Sequence, residues 1–387
     1  MKIGIDVRSL AQGKKTGVEE YTQNILSAIF ELDDKNEYVL FFNKWNNKHI
    51  DFSWALKYDN VSLKQYKIPN KLLNFSLWFL RYPKLDKLCG GVDIFFMPNN
   101  NFCALSKNVK LFLTVHDLSF EHFKKTFSLK RRIWHYLVNP RALAGRADII
   151  FAVSESTKID LCQTYKIKCD KIIVAKNGLT FSKNKYTRNS LEVIDFKQKH
   201  NLPYNFILYF GTIEPRKNIV NIIEAYNNLK KNNKNISHSL VIAGARGWNS
   251  GDIYDAINNS KYFDEIIVLE NVSEKQKMIL YTLASVFIYP SFFEGFGFPP
   301  CEAIACGTPT IVSHSTSLPE VVKTNALMIN PSHIEEIVCA TENIIKDKDL
   351  QQLLSDTDNS VTVSQWEKSA ESFIKATNIS RCNSSHY

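Results

Sequence analysis

Short β-rich runs separated by helix-length stretches alternate through almost all of this chain's 387 residues, and this pattern limits its fold more than any other feature. Apolar runs rich in Val, Ile and Phe, bounded by turns, read as strands buried on both faces, which a parallel sheet covered by helices accommodates. Seven fall in the first half: Lys2–Val7, Tyr38–Phe42, Val61–Tyr66, Val92–Met97, Val109–Val115, Asp148–Val153 and Ile172–Ala175. A polar stretch, Ser182–Ser190, carries no apolar period and reads as a linker. The alternation then restarts with Asn205–Phe210, Ser239–Ala243, Glu265–Leu269, Val286–Tyr289, Thr310–Val312 and Ala326–Ile329. The expected architecture is α/β, with two Rossmann-like parallel-sheet domains facing across a cleft. Their expected bounds are 1–181, a linker at 182–190, and 191–377 with a closing helix over 364–377 on a domain surface, then a polar tail at 378–387.

Composition narrows the class. With 44% hydrophobic and 22% charged residues the chain can build two cores, which excludes a disordered or fibrous protein. No run approaches the roughly 18–20 apolar residues of a membrane-spanning helix. Asp6 stands where a signal peptide would need its apolar middle, so a cytoplasmic location is expected. The eight cysteines are scattered without a Cys-x-x-Cys pair. They read as reduced thiols, Cys162/Cys169 and Cys301/Cys306 being the closest pairs, and no zinc or other metal site is expected. The formal charge of +9 favours anionic partners: phosphate, lipid headgroups or nucleic acid.

Open α/β sheets bind ligands beyond the carboxyl ends of their strands, so the residues just after strands are the candidates. The first such loop runs from Asp6 and Arg8 through Gly13 to Gly17, where a helix begins and backbone N–H groups can meet an anion. It is neither a Gly-x-Gly-x-x-Gly fingerprint nor a P-loop. His116-Asp117 follows a strand, and the imidazole can donate to a sugar hydroxyl or a phosphate. After Phe206–Phe210 comes Gly211-Thr-Ile-Glu-Pro-Arg216-Lys217-Asn218, where a guanidinium fork and an ammonium point charge suit two phosphate groups. Cations at a helix start oppose the macrodipole, a conflict that an anionic ligand resolves.

The densest segment is Tyr289–Pro309, with Glu294, Gly295, Phe296, Gly297 and Glu302 around a glycine turn and a proline-started helix. Carboxylates there would suit paired hydroxyls of a sugar or ribose. Two Asp-x-Asp triplets, Asp347–Asp349 and Asp356–Asp358, lie in a late polar region and are set aside as metal–diphosphate sites.

Together these motifs resemble a retaining glycosyltransferase of family 4 with the GT-B fold, of the mannosyltransferase-like group 1 kind. The resemblance runs over nearly the whole chain. It is carried by Asp6-x-Arg8 and Gly17, Thr114-Val-His116-Asp117, Ala152–Ser156, Asn177-Gly178, Gly211–Asn218 and above all the Glu-x7-Glu pattern of Glu294 and Glu302. It implies transfer of a hexose from a nucleotide-diphosphate sugar, with retained configuration, no cofactor and no metal. By the same resemblance Glu302 would hold the donor's ribose, and Glu294 with the backbone of Gly295, Phe296 and Gly297 its sugar. Arg216 and Lys217 would neutralise the diphosphate, Gly17 would touch the same phosphates, and His116 would contact the sugar. One departure stands out: many relatives carry Arg directly after the first glycine of the second-domain motif, where this chain has Thr212.

The expected donor is GDP-mannose, and the expected acceptor a glycan or a polyprenyl-diphosphate-linked oligosaccharide of O-antigen or capsule type. A UDP-sugar-dependent transferase, a sugar-nucleotide epimerase and a non-catalytic partner subunit are the alternatives. Tyr66–Leu88 and Phe123–Val138 mix Lys and Arg with Trp, Phe and Leu, a composition suited to an anionic membrane surface and equally to solvated helix faces over a core. No nucleic-acid partner is expected, since the basic residues interleave with apolar runs.

Overall fold

The computed structural model describes residues 1–12, 17–45, 50–179, 186–187, 189–356 and 366–382. Two compact units emerge, each built on its own parallel sheet.

The first unit comprises residues 1–118, 129–178 and the C-terminal stretch from 364. Its sheet has seven strands: β1 (Lys2–Asp6), β2 (Glu37–Asn43), β3 (Val61–Tyr66), β4 (Ile94–Met97), β5 (Lys110–Val115), β6 (Ile149–Ala152) and β7 (Ile172–Val174). Their order is β3-β2-β1-β4-β5-β6-β7, with Ile5 of β1 opposite Leu40 on one side and Phe96 on the other. All four residues of β4 are buried, as a strand covered on both faces requires.

The second unit comprises residues 119–128 and 179–363. Its six strands are β8 (Phe206–Phe210), β9 (Ser239–Ala243), β10 (Ile266–Leu269), β11 (Val286–Tyr289), β12 (Thr310–Ser313) and β13 (Leu327–Ile329), in the order β10-β9-β8-β11-β12-β13. Strand order reverses between β1 and β4 in one sheet and between β8 and β11 in the other. At such switch points the connections diverge to opposite faces and leave a crevice beyond the strand ends.

Two segments lie elsewhere than their sequence position suggests. The last helix spans Trp366–Cys382, and it packs on the first unit rather than closing the second. Its Phe373 is buried against Phe96, Phe112 and Phe151, and Trp366 meets Tyr21 edge-on. A side chain at Gly178 would collide with Trp366, its Cβ 2.6 Å from the indole. The helix also extends past the expected start of the tail at 378 to Cys382, and its Ser380 carbonyl accepts from Lys110 Nζ at 2.5 Å. Residues 119–128 leave the first sheet's neighbourhood for the second unit, where Phe123 packs on Phe292 and Phe293, and Phe127 stacks on Trp248.

Most of the linker expected at 182–190 lies outside the described residues, as does the loop Gly13–Thr16. The expectation of free thiols fails at one pair. Cys162, in the helix Glu155–Thr164, and Cys169, on the turn that follows, are joined as a disulfide with Cα atoms 5.9 Å apart, because the chain reverses between them. Among the described residues no helix is long and apolar enough to cross a membrane.

Candidate active site

The second sheet's switch point holds the densest cluster of charge. β8 ends at Phe210, and the chain turns through Gly211 (φ 156°) into a 3-10 turn, Pro215–Lys217, before the helix Ile219–Asn232. Asn218 occupies the left-handed region (φ 62°) between turn and helix, and its amide donates to the Pro331 carbonyl at 2.6 Å. This junction sends Arg216 and Lys217 toward the segment following β11. Phe292 N donates to the Arg216 carbonyl at 3.0 Å, tying the two loops by their backbones.

Glu294 stands between both cations. Lys217 Nζ donates to Glu294 Oε1 at 2.5 Å and to the Tyr289 hydroxyl at 2.8 Å. Arg216 Nη1 donates to the Phe293 carbonyl at 2.5 Å and lies 3.4 Å from Glu294 Oε2, while Nη2 donates to Glu214 at 2.8 Å. All four ionisable side chains are nearly sealed, with exposures of 12% or less. Burial alone would raise the Glu294 carboxyl, but Lys217 and Arg216 outweigh it and hold the group down at about 2. Burial and repulsion from Arg216 push the Lys217 ammonium below its ordinary value despite Glu294. Glu214 and Glu294 offset the two guanidinium and ammonium charges, so the cluster is near neutral.

The turn after Glu294 is fixed by side chains from the loop that follows β12. Thr316 Oγ1 accepts from Glu294 N at 3.0 Å, and Ser317 Oγ lies 3.0 Å from both the Glu294 and Phe296 carbonyls. Gly297 sits at φ 98° as the N-cap of the helix Phe298–Ala305, where a Cβ would come within 2.6 Å of Leu318. Glycine is required there for both backbone and space. Pro299 and Pro300 begin the helix, where a missing N–H costs nothing.

Glu302, on that same helix, is held in a separate pocket. Lys277 Nζ donates to Oε1 at 2.6 Å and the Tyr281 hydroxyl to Oε2 at 2.9 Å. Both donors project from one face of the helix Glu274–Leu283, being four residues apart. Burial pushes the Glu302 carboxyl above its ordinary value against the pull of Lys277. Burial also works to lower the Lys277 ammonium, but Glu302 and Glu274 outweigh it and hold the group above its usual range.

Two expected site residues lie in the first unit. Gly17 opens the helix Gly17–Leu32, and Tyr21 of that helix packs edge-on against the His116 ring at 4.7 Å. His116 Nε2 lies 2.9 Å from the Pro98 carbonyl, which can only accept, so Nε2 carries the proton. Burial lowers the imidazole below its ordinary value. The neutral ring therefore offers Nδ1 as an acceptor, where the sequence suggested a donor. Asp6 and Arg8 form a buried pair at the carboxyl end of β1, 2.6 Å apart, and Arg8 Nη2 also donates to the Phe102 carbonyl at 2.7 Å.

The structure thus brings Arg216, Lys217 and Glu294 into one cluster, links Glu302 to it through the turn Gly295–Gly297, and places His116 and Gly17 on neighbouring elements of the other unit. Sequence reasoning gave no site role to Glu214, Tyr289, Lys277 and Tyr281, nor to Ser317, whose segment Ser317-Leu-Pro-Glu320-Val only resembles a family landmark. Glu214 and Tyr289 stood inside the quoted motifs as unremarked letters. Lys277 and Tyr281 had one usable signal, an i, i+4 polar pair on an otherwise amphipathic helix. Asp347, of the first Asp-x-Asp triplet, caps the helix Lys348–Ser355 by accepting from Leu350 N at 2.9 Å.

Comparison with known proteins bears on both units. Residues 16–183 match the family described as Glycosyltransferase Family 4, and residues 191–359 match Glycosyl transferases group 1. O-antigen chain mannosyltransferase B of Escherichia coli is 30% identical over 238 residues, 61% of this chain and 61% of that protein. This chain therefore matches about three fifths of that relative's length. O-antigen chain mannosyltransferase RfbU of Salmonella typhimurium is 27% identical over 344 residues, covering 85% of this chain and 87% of the relative. Among solved structures, a sucrose-phosphate synthase from Thermosynechococcus elongatus superposes with a TM-score of 0.73 at 16% identity, covering 99% of this chain and 100% of the other.

Proposed function

The chain belongs to glycosyltransferase family 4, with the α/β GT-B fold, and from that premise we propose that it transfers a hexose from a nucleotide-diphosphate sugar to a glycan hydroxyl in polysaccharide biosynthesis. The observation that carries this reading is the cluster at the β8–β11 switch point, where a guanidinium and an ammonium are fixed side by side against one carboxylate. Breaking the bond between a sugar and a diphosphate develops negative charge on the leaving oxygens. Donors already held in place stabilise that charge without reorganising, and they act more strongly where water is excluded. Lys217 has three N–H donors and spends two on Tyr289 and Glu294, which leaves one for a phosphate oxygen.

Glu294, held ionised, suits a hydroxyl of the transferred sugar. Glu302 retains a second lone pair on each oxygen beyond those used by Lys277 and Tyr281, and these suit the ribose hydroxyls. In the first unit, His116 Nδ1 is an acceptor for a sugar hydroxyl, and the start of the helix at Gly17 favours phosphate. The acceptor oxygen attacks the anomeric carbon on the face from which the diphosphate departs. The carbon–diphosphate bond breaks as the new glycosidic bond forms, the proton passes to a diphosphate oxygen, and configuration is retained. Fixed cations do in this scheme what a bound metal ion would otherwise do.

GDP-mannose is the proposed donor, in line with the two mannosyltransferase relatives, and the proposed acceptor is a glycan or a polyprenyl-diphosphate-linked oligosaccharide. Assaying purified protein against GDP-mannose and a panel of UDP-sugars, with glycan and lipid-linked acceptors, tests this. Transfer from GDP-mannose with retained configuration in the presence of a chelator is the expected result. Transfer from a UDP-sugar alone would overturn the donor assignment, and an inverted product the mechanism.

A further inference from the structure

The helix Asn70–Phe75 and the π turn Ser76–Leu80 that continues it show water an apolar face. Leu73 and Leu77 point into the first unit and are buried, while Leu72, Phe75, Trp78, Phe79, Leu80 and Tyr82 are exposed, Phe79 at 65%. The rings form one patch. Phe75 stacks on Phe79 with centroids 5.6 Å apart, and Trp78 lies 6.0 Å from each. Single exposed apolar residues are ordinary on a protein surface, but a contiguous aromatic patch marks an interaction site.

The charge around the patch names the partner. Lys64, Lys67, Lys71, Arg81, Lys84 and Lys87 flank it along the chain, and among the described residues none of them forms an ion pair. The only acid between Tyr66 and Leu88 is Asp86, which is buried and spends both carboxylate oxygens on Ser106. A second stretch of the same kind lies close by. The helix Leu129–Val138 has no buried residue, exposes Leu129, Ile133 and Tyr136 along one side, and carries Lys130, Arg131 and Arg132. The loop after β4 touches both: Phe102 packs on Trp134 at 6.2 Å, and the Ala104 carbonyl accepts from Leu85 N at 2.9 Å.

We infer that this face of the first unit docks on the surface of an anionic lipid bilayer, with the rings of Phe75, Trp78 and Phe79 among the acyl-chain ends of the headgroups. The flanking lysines and arginine then lie level with the phosphates, their stems along the apolar boundary. A protein partner would be expected to bring carboxylates of matched spacing. A bilayer instead accepts cations spread over a broad surface, which is the arrangement here. Each cation near a charged surface is worth about a fivefold gain in partitioning, and salt weakens it.

Flotation of the full chain with vesicles tests this without any nucleotide sugar, so it stands or falls apart from the transfer reading. Binding to phosphatidylglycerol-containing vesicles, weak binding to pure phosphatidylcholine and release by salt are expected. Lys67→Glu/Lys71→Glu/Arg81→Glu should lower binding by at least tenfold, and Phe79→Ser severalfold. All four sites are solvent-exposed, and unchanged thermal melts would verify the fold. Equal binding to neutral and anionic vesicles, or no binding, would overturn the proposal. So would a concentration-dependent dimer that Phe79→Ser abolishes while vesicle binding persists, since the patch would then serve a second copy of the chain.

Discussion

The Glu294 and Glu302 pockets belong to one short segment and resolve the same problem, a carboxylate taken out of water, in opposite directions. Glu294 meets an ammonium at 2.5 Å and a guanidinium at 3.4 Å, and its carboxyl is held at about 2. Glu302 meets one ammonium at 2.6 Å and a phenol at 2.9 Å, and burial still pushes it above its ordinary value. Two cations overcome the loss of hydration and one does not. Glu294 is therefore a fixed anion that organises Arg216 and Lys217, whereas Glu302 sits in a pocket closer to balance, where a ligand's hydroxyl could shift it.

The largest expected effect separates the pockets by stability. Glu294→Ala leaves two buried cations without their shared partner and should cost about 3–5 kcal/mol, the range for breaking a buried pair from one side. Glu302→Ala should cost less, because Lys277 keeps Glu274 at 2.9 Å. Urea unfolding measures both, and equal costs would break the contrast. Next in size, Lys217→Ala should lower turnover about 10²–10³-fold, as when one fixed donor to developing charge is lost. Near-normal sugar transfer by that variant would remove its role at the diphosphate.

Acid stability sharpens the contrast further. A carboxyl held below its ordinary value contributes stability that is complete above that value and is lost as pH falls toward the folded one. For Glu294 that window runs from about 4.5 down to about 2, and Glu294→Gln should remove about 3 kcal/mol of acid sensitivity within it. For Glu302, held above its ordinary value, the sign reverses, and its contribution is lost as pH rises. Glu302→Gln should therefore leave the acid limb of a pH–stability curve as steep as before, or steeper. The smallest effect is on binding: Glu302→Ala should weaken donor affinity by about tenfold and change the chemical step less, by the loss of one charged hydrogen bond. Calorimetry and single-turnover kinetics separate the two, and unchanged affinity would contradict the ribose role.

How far the chain can be read depends on where its signals reside. All thirteen strands among the described residues were legible, most of them because buried parallel strands are unbroken apolar runs, as in Ile94–Met97 and Val286–Tyr289, whereas the edge strand Val61–Tyr66 is polar and largely outside the core. The turn around Gly297 was legible because glycine and the prolines after it each answer a local backbone need. What escaped is tertiary choice. The apolar stripe of Phe373 and Ala370 marks a helix but not the surface it covers, and that surface belongs to the first unit. The same holds for Phe123 and Phe127, whose partners Phe292 and Trp248 are far along the chain. Lys277 was hidden because a lysine on a helix reads as solvated until the buried carboxylate facing it is known. The Cys162–Cys169 bond was hidden because the two thiols looked like ordinary interior packing.

The central claim is that Arg216 and Lys217 receive the diphosphate of a nucleotide sugar. Calorimetric titration of GDP-mannose and UDP-sugars into wild type and the Lys217→Ala variant, in a chelating buffer, addresses it most directly. Saturable binding of a nucleotide sugar by wild type, weakened at least tenfold in the variant, is the outcome this account predicts. Binding that depends on an added divalent ion, or equal affinity in the two proteins, would contradict it.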